Sequence, residues 1–473
     1  MFSERFLTGA AVCVVAVCAG QLAGDWLATA AILVLWAGWS LLRDKVGPPV
    51  LALAFTHQWM QVTIAIFYYA LTGRRVQTMD FIDYRPMVLI GLGCLLALLG
   101  GLILGRRHTQ PLVSPFVRQN ESSITLRQLI ILYGAATGAT SAIQQLAWAI
   151  PQLTQAILAI DLGRLALLFL IFRRLFQDAF RWRPALVLLM SEMALGFTGY
   201  FAGFREALMM GVLALLERFD RRRAVHWFVL ATVGVLVFCS AIAWTGIKFR
   251  YRYELDSGIP IESRLERFKL VTILIRDWFA QDLNDISPDV DRLVERMWTV
   301  YYPALAVTRV PSLVPHENGA LLWAAVKHLV TPRLLFPDKP VLESDSELVR
   351  LYSGIWVPGA EQNTSIAFGY AAESYVDFGL PWMFLPVFVY GVLMGRIHRW
   401  LLENIHSREL AVAMICAVFW LSLYLFERSW IKTLGLSATL LICLGGGTLL
   451  LDHFLLKRYR WEQDAETYQP APV

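Results

Sequence analysis

Leu89-Ile-Gly-Leu-Gly-Cys-Leu-Leu-Ala-Leu-Leu-Gly-Gly-Leu-Ile-Leu104 contains no charged side chain, and charge returns only at its flanks, with Arg85 and Arg106. A helix of about 20 apolar residues crosses the roughly 30 Å hydrocarbon layer of a bilayer, and this run has that character. Residues 225–246 and 434–451 are built the same way. The rest of the chain agrees. Of 473 residues, 57% are hydrophobic and 17% charged, with a mean hydropathy of +0.53. Soluble chains carry about a quarter charged residues, so a typical cytosolic enzyme is excluded. The sequence reads as an all-α polytopic membrane protein.

Working outward from that stretch gives about 12 transmembrane helices, at residues 6–23, 26–42, 50–71, 87–104, 126–147, 153–172, 185–203, 205–217, 225–246, 381–395, 409–427 and 432–451. Ala149-Ile-Pro151 separates the fifth from the sixth, because proline ends a helix. Arg5 followed by the apolar residues 6–20 has the outline of a signal peptide. A second apolar segment follows at once, so the N-terminus reads as an uncleaved helical hairpin.

Lysine and arginine concentrate in cytoplasmic loops, which fixes an orientation. With the N-terminus in the cytoplasm, that side receives Arg43/Lys45, Arg106/Arg107/Arg118, Arg173/Arg174/Arg181/Arg183, Arg218/Arg221/Arg222/Arg223, Arg396/Arg399 and Lys457/Arg458/Arg460. The short outer loops keep Arg74, Arg75, Arg85, Arg205, Arg428 and Lys432. Both termini are then cytoplasmic. The chain divides into about nine helices over 1–246, one large outer segment over 247–380, and about three helices with a short tail over 381–473. Within the outer segment, 264–283 has helical apolar spacing. Ser287-Pro288-Asp289 reads as a helix start with Ser287 at the cap, and 319–330 as a third helix stopped by Thr331-Pro332. These are expected to lie at the membrane–water interface over a cavity. All six cysteines fall in apolar runs without metal spacing and read as buried thiols.

The outer face collects cations from distant parts of the chain: Arg205, the set Lys248, Arg250 and Arg252, then Arg333, Lys339 and Arg428. The planar fork of arginine suits bidentate binding of phosphate oxygens, and a ring of such groups at one depth suits a lipid-linked phosphate or pyrophosphate. The competing reading is that they snorkel to lipid headgroups. Arg205 is the most specific, because Gly203-Phe-Arg-Glu206 opens a short helix whose N-terminal dipole adds to the guanidinium. Glu373 and Asp377 stand at i, i+4 within 363–379. In an apolar cavity such a carboxylate has a raised pKa and takes a proton from a sugar hydroxyl; the competing reading is a helix cap or an intrahelical hydrogen bond. His57, Gln58 and Gln61 read as packing groups, Asp161/Arg164 as a neutralising pair, and His328 as a second-line candidate beside Arg333. Asp289-Val-Asp291 has the form of a metal-binding DxD but follows a helix cap, where acids are expected anyway; no metal or other cofactor is expected. No Walker A, GxSxG, HExxH or GxGxxG motif occurs.

Together these features resemble the Wzy-type polysaccharide polymerases, which assemble bacterial surface glycans from oligosaccharide repeat units. The matching features are the large outer segment late in the chain, Gly203-Phe-Arg205 before a short helix, and Lys248 and Arg250 after the next span. Pro332 to Pro340, the entry at 363–379 and Glu427-Arg428 also match. The resemblance covers most of the chain from about residue 185 onward and rests on layout more than on sequence. It implies a GT-C-like fold in the bacterial inner membrane and a metal-independent transfer at the periplasmic face. The substrate is undecaprenyl-pyrophosphate-linked oligosaccharide, and a chain-length regulator and a flippase are the implied partners; no nucleic acid is involved. Arg205, Arg250, Arg333 and Arg428 then stabilise the departing pyrophosphate, Glu373 deprotonates the acceptor, and Lys248, Arg252 and Lys339 assist. An O-antigen ligase shares the donor and the arginines. A flippase or transporter of lipid-linked sugars is the rival from another class, although no internal repeat is present and the cations lie away from mid-membrane.

Overall fold

The computed structural model describes residues 2–43, 47–72, 83–107, 124–150, 152–177, 180–197, 204–220, 222–256, 264–281, 283–333, 335–336, 338–339, 343–362 and 364–454. Residues 199–203 before Arg205, Asn363, Pro340 and the basic residues Lys45, Arg74, Arg75, Arg118, Arg221, Lys457, Arg458 and Arg460 lie outside them. The described residues form helices and no strand. Among the described residues, five stretches are long and apolar enough to cross a membrane: Val50–Thr72, Arg85–Arg106, Thr154–Gln177, Ala224–Leu255 and Trp430–Phe454.

Helices form at each of the predicted spans. The first are α1 (Phe2–Ala23), α2 (Trp26–Leu42), α3 (Val50–Thr72), α4 (Arg85–Arg106) and α5 (Leu126–Ala149). Asp25 caps α2 by accepting from Leu27 N at 2.9 Å, and Thr125 with Gln128 forms a reciprocal capping box at the start of α5. The single helix predicted over 153–172 is instead α6 (Thr154–Asp161) and α7 (Arg164–Gln177), kinked at Leu162-Gly163. A Cβ on Gly163 would sit 2.9 Å from the Ile160 carbonyl oxygen, so the tight turn requires glycine. The expected Asp161/Arg164 pair separates there. Asp161 accepts from Thr140 Oγ1 at 2.9 Å, while Arg164 lies 3.6 Å from the buried Glu192 of α8 (Trp182–Phe197).

After α9 (Phe204–Glu217) comes α10 (Ala224–Asp256), which runs ten residues beyond its predicted end at 246. Lys248, Arg250 and Arg252 therefore stand on a helix rather than in a loop. Ile242, Ala243, Ile247 and Tyr251 continue one buried stripe through the charged turn, and that packing carries the helix onward. The outer segment supplies α11 (Arg264–Phe279), α12 (Leu283–Met297), α13 (Tyr301–Arg309), α14 (Ala320–Val330), α15 (Asp345–Ser353) and α16 (Tyr370–Phe378). The predicted start at Ser287-Pro288 is displaced: Pro288 lies inside α12. Its missing N–H costs one helical bond, offset downstream where Asp289 accepts from Trp278 Nε1 at 2.8 Å and Asp291 from Tyr68 OH at 2.7 Å. Nor does the whole segment lie over the bundle, since every residue of α16 from Tyr370 to Asp377 is buried.

The chain closes with α17 (Phe384–Asn404), α18 (Arg408–Leu423) and α19 (Trp430–Leu440), the last continuing through a π-helical turn to Phe454. Residues Ala411–Leu423 of α18 are all buried, which makes it the central helix. Three of the arginines that loop alternation assigns to one side are held near helix ends. Arg106 donates to the Leu42 carbonyl, Arg173 makes two parallel bonds to Glu217 (2.8 and 3.0 Å), and Arg174 pairs with Glu409 at 2.6 Å. The cysteine reading needs correction. Cys94 and Cys416 are buried and Cys443 partly so, but Cys13, Cys18 and Cys239 are exposed on apolar helix surfaces.

Candidate anion-binding site

The turn from Tyr424 to Ser429 joins α18 to α19, and its shape follows from the backbone groups that two helix ends leave unpaired. The last carbonyls of α18 are taken by side chains. Arg428 Nη1 donates to Leu421 O at 2.9 Å, His57 Nδ1 to Tyr424 O at 2.7 Å, and Gln58 Nε2 to Leu423 O. Gln61 Oε1 accepts from Phe426 N at 2.7 Å, and the Arg428 carbonyl accepts from Tyr370 N at 2.8 Å. The first N–H of α19, on Trp430, donates to Glu373 Oε2 at 2.7 Å. Three polar residues of α3 and one carboxylate of α16 thus fix the turn. The packing role read for His57, Gln58 and Gln61 is this fastening.

Arg205 reaches the turn from the first residues of α9. Its Nη2 donates to Tyr424 OH (2.7 Å) and to Glu206 Oε1 (3.0 Å), and its guanidinium lies 4.6 Å from the Tyr424 ring centroid. Arg428 approaches the same ring at 5.5 Å, and Tyr424 stacks on Trp420 at 4.9 Å. Tyr424 is therefore a platform that two guanidinium groups approach. The side chain of Arg205 stays 42% exposed, so a ligand has access to it.

Further cations crowd the same place. The end of α12 is drawn in where Thr299 N donates to the Gln61 carbonyl (3.1 Å) and Trp298 Nε1 to the Val62 carbonyl (3.1 Å). Arg296 is consequently in the electrostatic field of Arg205, Arg252 and Glu427; burial and the two arginines push its pKa down, and Glu427 pushes it up. Lys248 shares the field of Arg296 and Arg252. Burial raises the pKa of Glu427 against the opposing pull of Arg205, Arg296, Arg428 and Lys432. Arg205 and Arg428 thus flank Tyr424 beside Glu206 and Glu427, and Arg296 connects them electrostatically to Arg252 and Lys248. Chemically this is a partly desolvated receptor for an oxyanion.

Of the expected site residues, the structure brings together Arg205, Lys248, Arg252 and Arg428. Arg250 points to the exposed side of α10. Arg333 and Lys339 belong to another neighbourhood: Lys339 Nζ donates to the carbonyls of His328 (2.9 Å) and Thr331 (2.8 Å) at the end of α14, beside exposed Arg333. Glu373 is 3% exposed and accepts from the Trp430 N–H, so in this structure it positions the turn. Asp377 caps α14, accepting from Leu321 N (3.0 Å) and Leu322 N (2.8 Å). Arg296 and Tyr424 were not anticipated. The one available signal was Arg296 closing a helix with a strongly amphipathic pattern.

Glu373 carries a pH signature. Burial raises its pKa from 4.5 to about 8, so the folded state holds its proton more tightly than the unfolded state does. Stability from this group is full below about pH 4.5 and falls as pH rises towards 8. Glu373→Gln, which keeps an acceptor for Trp430, is expected to flatten the decline of melting temperature between pH 5 and 8. Equal slopes for the two proteins would remove this account of Glu373.

Residues 92–424 match the family described as a domain of unknown function, DUF8712, and the chain belongs to that family. No curated protein and no solved structure matches it. The matched region holds Arg205, Lys248, Arg252, Arg296 and Glu373 and ends at the Tyr424 platform.

Proposed function

We propose that this DUF8712 chain is a membrane glycosyltransferase that polymerises undecaprenyl-pyrophosphate-linked oligosaccharide repeat units at the periplasmic face of the bacterial inner membrane. The observation that carries the reading is the pairing of Arg205 and Arg428 on the Tyr424 ring, with Arg296, Arg252 and Lys248 joined to them in one electrostatic field. They come from three separate helices and one turn, at the end of the bundle opposite Arg106, Arg173 and Arg174. In this reading about 12 helices of a GT-C-like bundle cross the membrane, both termini are cytoplasmic, and a flippase and a chain-length regulator work alongside.

The bond from the donor's anomeric carbon to the pyrophosphate oxygen breaks, and the acceptor hydroxyl oxygen takes its place on that carbon. Undecaprenyl pyrophosphate departs as an anion, and fixed guanidinium groups in a water-poor site stabilise the charge that develops on it. The hydroxyl proton passes to Glu427, the half-buried carboxylate inside the cationic group, in place of Glu373. Glu373 and the polar residues of α3 hold the turn so that Arg428 and Glu427 keep their places.

Deleting the gene and resolving surface glycan and lipid-linked intermediates by gel and mass spectrometry tests this. Single repeat units should accumulate where polymer was made. Full-length polymer retained on undecaprenyl pyrophosphate would instead establish a ligase. Repeat units trapped on the cytoplasmic leaflet would establish a transporter, and the assignments above would fall.

A further inference from the structure

The cations that stand apart from the Tyr424 turn lie on a surface of their own. Along α14, Ala320, Trp323, Lys327 and Val330 share one exposed stripe at helical spacing, with Trp323 67% and Val330 66% exposed. Past the helix end, Arg333, Leu335 (71% exposed) and Phe336 continue the same chemistry. Large apolar groups exposed in this way mark an interaction site. The surface is rigidly mounted: Asp377 caps one end of α14, Lys339 Nζ satisfies carbonyls at the other, and α14 packs along α19, one of the helices able to cross a membrane.

We infer that the α14 face formed by Trp323, Lys327, Val330, Arg333, Leu335 and Phe336 is a docking surface for anionic lipid headgroups of the bilayer that α19 enters. Its composition selects that occupant. Tryptophan and basic residues partition to the membrane–water boundary, with the apolar groups immersed beside the acyl chains and the cations at phosphate level. Charge is unbalanced in the matching sense, since Lys327, Arg333 and Lys339 stand against Asp338 alone among the charged side chains of 323–339. Burial and the neighbouring cations hold the pKa values of His328 and Lys339 below their ordinary values, a strain that a lipid phosphate relieves. Continuity with α19 favours a bilayer over a soluble partner. The inference rests on the membrane reading of α19 and not on the transferase chemistry.

The test titrates phosphatidylglycerol or phosphatidylcholine into the full chain in neutral detergent and counts bound lipid by native mass spectrometry. Lys327→Gln/Arg333→Gln is compared with the parent, and Arg333→Gln alone serves as the milder variant. Each cation near an anionic surface contributes about 1 kcal/mol, so the double variant should bind phosphatidylglycerol about 25-fold more weakly and the single variant about 5-fold. Phosphatidylcholine binding should not change. A parent that does not prefer phosphatidylglycerol overturns the inference, as does a preference that survives the double substitution. Carbonate extraction separates the two levels. Release of the chain from membranes would overturn the membrane reading, whereas retention together with lipid indifference overturns only the docking surface.

Discussion

Replacing Arg205 by alanine should abolish polymer while leaving the protein in the membrane at its normal level. Arg205 holds the Tyr424 platform more closely than Arg428 does, through a 2.7 Å bond and a guanidinium 4.6 Å from the ring centroid. Removing one preorganised donor for a developing oxyanion lowers turnover by about 100- to 1000-fold, enough to erase polymer on a gel. Folding should survive, because the side chain is partly exposed and its acidic neighbour Glu206 keeps some access to water. Arg205→Lys is the sharper comparison. A lysine restores the charge, but it cannot lie flat over a ring and present a planar fork at the same time, so it should recover little. The readouts are polymer length in a complemented deletion strain and protein amount by immunoblot. A fully active Arg205→Ala would remove the centre of the proposed site.

The contrast between what the sequence revealed and what it hid has a physical pattern. Spans such as Val50–Thr72 and Arg85–Arg106 fall within two residues of their predicted limits, because a long uncharged run has few alternatives. The break at Gly163 was hidden, since Asp161 and Arg164 around it have the i, i+3 spacing of a neutralising pair within one helix and only a short contact to the Ile160 carbonyl demands the turn. The extension of α10 was hidden for the opposite reason: Lys248, Arg250 and Arg252 suggested water, while the buried faces of Ile247 and Tyr251 kept the helix going. Arg205, Lys248, Arg252 and Arg428 were legible as charges at one depth. Arg296 was not, because its place depends on Gln61 bridging Thr299 and Phe426. For Glu373 the environment was legible and the role was not. Its partner is the backbone N–H of Trp430, 57 residues away, and no side-chain spacing announces that.

Gly391→Leu should disrupt the fold, and Gly138→Leu should not, although both glycines belong to the same Gly-x-x-x-Gly pattern. In α4 and α17, Gly101 and Gly105 face Gly391 and Gly395 across a contact where backbone meets backbone. A Cβ on Gly101 would lie 2.3 Å from the Phe388 carbonyl oxygen, and one on Gly391 would lie 2.7 Å from that of Leu98. Neither atom can move without moving a helix, so the pair must separate along its length. Overpacking of this kind costs about 3 kcal/mol, and here it pries α17 from α4 and loosens the frame that carries α18 and its turn. In α5, Gly134 and Gly138 have no neighbour within 4 Å of an added Cβ, and leucine there meets open space. Thermal unfolding in detergent, followed by size-exclusion chromatography, should show Gly391→Leu melting well below the parent and Gly138→Leu close to it. Matching melting temperatures for the two variants would mean that α4 and α17 do not approach as closely as the four glycines allow.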